Sequence, residues 1–109
     1  MAIKQFGTTM DELLHWLKQQ NSGIRTFSGY QQRAIVLGEA DQSNAAHYAL
    51  LSALAGHFVS AHSGVPLSAD VAGRALTQLV SYTEDARKSI GTSSPEKVVF
   101  LNTIAAAEL

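Results

Sequence analysis

The side chains best suited to chemistry in this sequence are four histidines, at positions 15, 47, 57 and 62, because imidazole both ligates metals and titrates near neutral pH. Their spacing argues against a shared ion. His47 and His57 stand ten positions apart, about 15 Å along a helix, and His57 and His62 are turned about 140° from one another around it. No pair has the i, i+4 spacing that lets one helix chelate a metal from a single face. The chain has no cysteine, which removes disulfides, thiolate zinc sites, iron–sulfur clusters and a thiol nucleophile. No metal or cofactor is expected.

Hydroxyls and carboxylates are no better arranged for catalysis. Ser60, Ser63 and Ser68 lie close to histidines in sequence, yet no Gly-x-Ser-x-Gly elbow surrounds them. They read as a small packing residue, an end-of-helix residue and an N-cap. Glu84 and Asp85 are adjacent, so on a helix they diverge by about 100° and form no carboxylate dyad. The glycines, at 7, 23, 29, 38, 56, 64, 73 and 91, match neither a phosphate-cradling loop nor a dinucleotide fingerprint. The expectation is a protein that is not an enzyme. His47 and His57 then read as buried or interfacial groups hydrogen-bonded to a neighbour, and His62 as an imidazole at a helix C-terminus. The competing reading is a small-molecule-binding or enzymatic bundle in which His47, His57 and Tyr48 line a pocket between helices.

These residues must be positioned by helices. Thr9-x-x-Glu12 fits a capping box, Met10, Leu13, Leu14 and Leu17 recur at helical spacing, and Asn21-Ser22-Gly23 supplies the stop. Residues 24–37 admit two readings. Ile24 to Phe27 and Arg33 to Leu37 fit a short hairpin around Ser28-Gly29, while Tyr30, Ala34, Ile35 and Leu37 fit a helix capped by Ser28 and ended by Gly38. The helix is preferred, since an isolated hairpin is only marginally stable. Farther on, Ser68 caps a segment in which Ala72, Leu76, Leu79, Thr83, Ala86 and Ile90 keep a four-three spacing, and Asp70–Arg74 and Glu84–Lys88 mark its solvated side. Ser94-Pro95-Glu96 starts a last helix that carries the chain to its end.

Between Asp41 and Asp70 there is no Asp, Glu, Lys or Arg, and this uncharged stretch contains a central helix over 43–63. Leu50, Leu51, Leu54, Phe58 and Ala61 make its bulky face, and Ala46, Ala49, Ala53, Gly56 and Ser60 a stripe of small residues beside and behind it. A helix without charge around its circumference is usually surrounded by protein. The small stripe is expected to cross the next helix near Gly73, where close contact would offset the cost of a mid-helix glycine.

With 109 residues, 46% hydrophobic and 16% charged, and a net charge of −1, the composition is that of a globular protein. The expected fold is all-α, an antiparallel helical bundle of four to five helices forming one domain over 1–109. Its expected core is Leu13, Leu17, Leu50, Leu51, Leu54, Phe58, Leu76, Leu79, Val98, Leu101 and Ile104. No membrane is expected as a partner, because no window approaches the roughly 18 to 20 consecutive apolar residues of a span. Residues 1–6 do not read as a secretory signal, so the expected location is cytoplasmic. Gly64 to Ser68 resembles the turn of a helix-turn-helix, with Arg74, Thr77 and Gln78 facing outward. The following helix carries Asp70, Glu84 and Asp85 and no basic cluster, so no nucleic acid is expected as a partner. What remains is a protein-interaction or regulatory module acting through an apolar helical surface. Its expected partner is a protein, first of all itself as a homodimer, through a patch drawn from His47, Tyr48, Leu51, Ala55, Val59 and His62. The competing arrangement has the first and last helices covering that surface.

Overall fold

The computed structural model of the protein describes residues 9–109. The reading of residues 1–6 lies outside that range. Among the described residues the chain forms five α-helices and no strand, in the expected all-α bundle. The first, α1 (Met10–Lys18), begins as its sequence requires: the Thr9 hydroxyl accepts a hydrogen bond from the Glu12 backbone N–H at 3.2 Å. Met10, Leu13, Leu14 and Leu17 fill its buried side.

The second helix, α2 (Ile24–Ala40), decides the ambiguous segment in favour of helix and also extends it at both ends. Gly23 is its N-cap, and Ser28 lies inside it, its hydroxyl donating back to the Arg25 carbonyl at 3.2 Å. Gly38 does not end the helix. A Cβ placed there would stand 3.1 Å from Tyr48 Cβ, so this glycine is a point of close approach between helices. A short 3₁₀ turn (Gln42–Asn44), held by Asn44 Nδ2 donating to Asp41 Oδ2 at 2.9 Å, returns the chain into α3 (Ala45–Ala61). The helices α2 and α3 form an antiparallel hairpin whose interface is the most extensive in the molecule. Phe27 and Phe58 meet across it with ring centroids 4.4 Å apart.

The small residues of α3 do not cross near Gly73. A Cβ at Gly73 would meet nothing within 4 Å, whereas one at Gly56 would stand 2.6 Å from Gln31 Nε2, so the close approach is to α2. Ala46, Ala49, Ala53 and Ser60 face outward.

After Gly64, whose φ of +75° suits a residue without a side chain, α4 (Ala69–Ile90) starts with the Ser68 hydroxyl accepting from Val71 N–H at 3.2 Å. It packs mainly on α1 and α5 (Ser94–Ala105). The Asp70–Arg74 pair forms at 2.8 Å, but Glu84 turns from Lys88 to Lys18 of α1, at 3.1 Å. Arg87 Nε reaches Asp11 Oδ1 at 3.5 Å, a second bridge between α1 and α4. In the core, Tyr30 donates to Thr83 Oγ1 at 2.7 Å, and Thr83 in turn donates to the Leu79 carbonyl at 2.7 Å.

The last helix buries only Phe100 and Ile104. Val98, expected in the core, is 53% exposed, and Leu50, Leu76 and Leu101 are half-buried. The helix stops at Ala105 rather than running to the end of the chain. Its short buried stripe accounts for both departures: two anchors four residues apart fix one face of about a single turn.

Candidate interaction surface

The six residues expected to form a surface patch occupy three different environments. Leu51 and Ala55 are fully buried in the hydrophobic core. His47 is also inside, its Nε2 3.1 Å from Ser89 Oγ and its ring stacked on Phe100 at a centroid distance of 5.2 Å. Burial pushes its pKa down, the nearby Lys97 adds to that, and Asp41 opposes it. Tyr48 is fully buried too, its hydroxyl pushed up to about 12 by burial and by the Asp41 and Asp11 carboxylates. These four side chains therefore hold the chain's own helices together.

Val59 and His62 are half-buried and line an open cleft of about 760 Å³ between the α1–α2 turn and the α3–α4 turn. The His62 ring rests on Phe58, 4.5 Å between centroids. Ile24 and Leu67 give this cleft an apolar floor, and Ser22, Ser28 and Ser63 a polar rim.

The histidines do not converge. His47 faces Ser89 and Phe100, His57 is exposed on the outer side of α3, and Tyr48 turns toward the α2–α3 corner. Among the described residues there is no group of three or more His, Asp or Glu side chains placed to hold a metal. His47 and Ser89 are within nucleophile–base distance. Among the described residues no carboxylate hydrogen-bonds the other ring nitrogen of His47, so the pair lacks the orienting third member of a triad. What it does is satisfy two polar groups that burial would otherwise leave unpaired.

A different surface is presented instead. The outward side of α3 consists of Ala46, Ala49, Ala53, His57 and Ser60, with no Asp, Glu, Lys or Arg among them. Gln31 and Gly38 meet α3 at Gly56 and Tyr48, and Ile35, 41% exposed, lies between them on the same stripe of α2, so it borders α3. A second apolar opening, about 350 Å³, lies between α1 and α2 over Leu13, Trp16, Val36 and Leu37. There the Arg33 guanidinium covers the Trp16 ring at 4.4 Å from its centroid. The sequence pattern marks the small residues of α3 as a stripe, but as one covered by the next helix near Gly73 and not as a free face; the opening between α1 and α2 has no such signal. The alanines of α3 looked suited to burial because helical phase cannot be read where no charge marks the wet side.

Scans against protein-family models, curated proteins and solved structures find no match to this chain. No described helix is long and apolar enough to cross a membrane.

Proposed function

We propose that this protein is a non-catalytic interaction module that binds protein through the outward face of α3, and that its first partner is a second copy of itself. One observation carries the reading: a solvent-facing helical surface that is uncharged along its length and built from small side chains. Exposed helix faces of a monomer ordinarily carry charge. Alanine and serine let a second helix approach to about 8 Å between axes, and the same face on another copy is complementary to it across a two-fold axis. Ile35 supplies a larger apolar side chain at the rim of that contact.

The test is the solution mass across a concentration series, by size-exclusion chromatography with light scattering, for the wild type and for Ala53→Arg. The expected result is a wild-type mass twice that of one chain and a monomeric Ala53→Arg with unchanged helical circular dichroism. A wild type that stays monomeric at every concentration refutes self-association. Ala55 is the wrong position for this test, because a charge at a fully buried residue would unfold the protein before it reported on contact.

A further inference from the structure

Among the described residues Lys18, Arg74 and Arg87 form ion pairs with Glu84, Asp70 and Asp11, and the Arg33 guanidinium forms none. What it meets is the Trp16 ring, whose centroid lies 4.4 Å from Arg33 Cζ. A ring face attracts the charge but offers no lone pair to the guanidinium's fork of N–H donors, whose geometry matches a carboxylate. The pair is built into the α1–α2 interface. Gly29 leaves room for the indole, since a Cβ there would stand 3.2 Å from Trp16 Cη2, and Arg33 follows one turn on along the same stripe of α2. The next turn carries Val36, 60% exposed, and Leu37, which with Leu13 of α1 line the opening of about 350 Å³ that Trp16 and Arg33 also border.

A cation without a carboxylate thus shares one opening with apolar side chains. We propose that this opening binds a medium-chain monocarboxylate, its head group on Arg33 and its alkyl chain over Leu13, Val36 and Leu37 beside the Trp16 ring. Charge sets the head group and volume the tail. At about 30 Å³ for each water-sized group, 350 Å³ holds about eleven such groups, the heavy atoms of a carboxylate with a tail of seven or eight carbons. Glu12 also lines the opening and makes no ion pair with Arg33, so it leaves the guanidinium unmatched and counts against a second negative charge on the ligand. No residue of α3 lines this opening, so it stands or falls apart from self-association.

Trp16 is the one tryptophan of the chain, so its fluorescence reads the opening directly. The full chain is titrated at neutral pH and matched ionic strength with octanoate, hexanoate, octanedioate, octylammonium and octanol, following Trp16 emission and the amide NMR spectrum. Octanoate is expected to change the emission saturably, with resonance shifts centred on Leu13, Trp16, Arg33 and Val36, and to bind about tenfold more tightly than octylammonium or octanol. Hexanoate, two methylenes shorter, should bind about fourfold to fifteenfold more weakly than octanoate, the range between half and full burial of each methylene. Arg33→Gln, at an exposed position, should keep its helical circular dichroism and its affinity for octanol and lose about tenfold in affinity for octanoate. Ala53→Arg, which changes α3 alone, should bind octanoate as the wild type does. Octylammonium or octanedioate binding as tightly as octanoate overturns the proposal, as does undiminished octanoate affinity in Arg33→Gln, and both leave an unselective apolar surface as the explanation. A wild type with no saturable response to octanoate overturns it outright.

Discussion

The α2–α3 hairpin and α5 are both helical, yet they are held to the bundle by different means. The hairpin is closed by two glycine contacts, at Gly38 and Gly56, by the Phe27–Phe58 pair and by a continuous run of fully buried side chains. The last helix has Phe100 and Ile104, and it leaves Val98 and Val99 53% and 66% exposed. One of its contacts with α3 is the buried His47 ring stacked on Phe100. Cooperative stability is thus concentrated in the hairpin, and α5 is the element whose local opening costs least.

That contrast can be broken most severely at Phe58. Phe58→Ala should lower unfolding free energy by about 3–5 kcal/mol, seen as a shift in the urea midpoint, because it empties the hairpin interface. Gly38→Val should cost about 1–3 kcal/mol through overpacking against Tyr48, while Gly73→Ala, with open space around it, should stabilise by about 0.5–1 kcal/mol. If both glycine variants move stability the same way, the close approach at Gly38 is not what fixes the hairpin.

Acid should act on the weaker region. The folded pKa of His47 is held below its unfolded value, so below about pH 6.5 the unfolded chain binds the proton that the folded chain resists. Stability contributed by neutral His47 is complete above that pH and is lost as pH falls from there through the lower folded pKa. Amide exchange in α5, corrected for intrinsic rates, should accelerate on acidification more than exchange in α2, and His47→Gln should remove the difference. Equal acceleration in both helices would mean that α5 does not open separately. Smallest of all, Val99→Lys should change stability by no more than about 0.5 kcal/mol, by the same urea measurement, because Val99 is already largely in water.

The sequence disclosed the helices where a cap is local. Thr9 and Ser68 each bond a backbone N–H three residues on, a signal contained within one turn. The start of α2 was obscured because Gly23 offers no side-chain cap, while Ser28, which looks like one, bonds inside the helix. The phase of α3 was hidden for a different reason. With no charged residue between Asp41 and Asp70, nothing separates the side facing α2 from the side facing water. The patch was consequently assigned to residues of which His47, Tyr48, Leu51 and Ala55 turn out to lie in the interior. Glu84 illustrates the third obstacle: a partner one turn away, Lys88, is visible in sequence, but the partner it takes, Lys18, is brought near only by the fold.

That choice by Glu84 has a directional meaning. Lys18–Glu84 and Asp11–Arg87 join α1 to α4 with opposite polarity at the two ends of α1. Each pair is substantially exposed and contributes little to stability on its own. Were α1 docked end for end, Asp11 would meet Glu84 and Lys18 would meet Arg87, like charge against like. The two bridges thus act as an orientation code, distinguishing one arrangement of a short apolar helix from its mirror in direction, a distinction that Leu13, Leu14 and Leu17 alone would leave undefined.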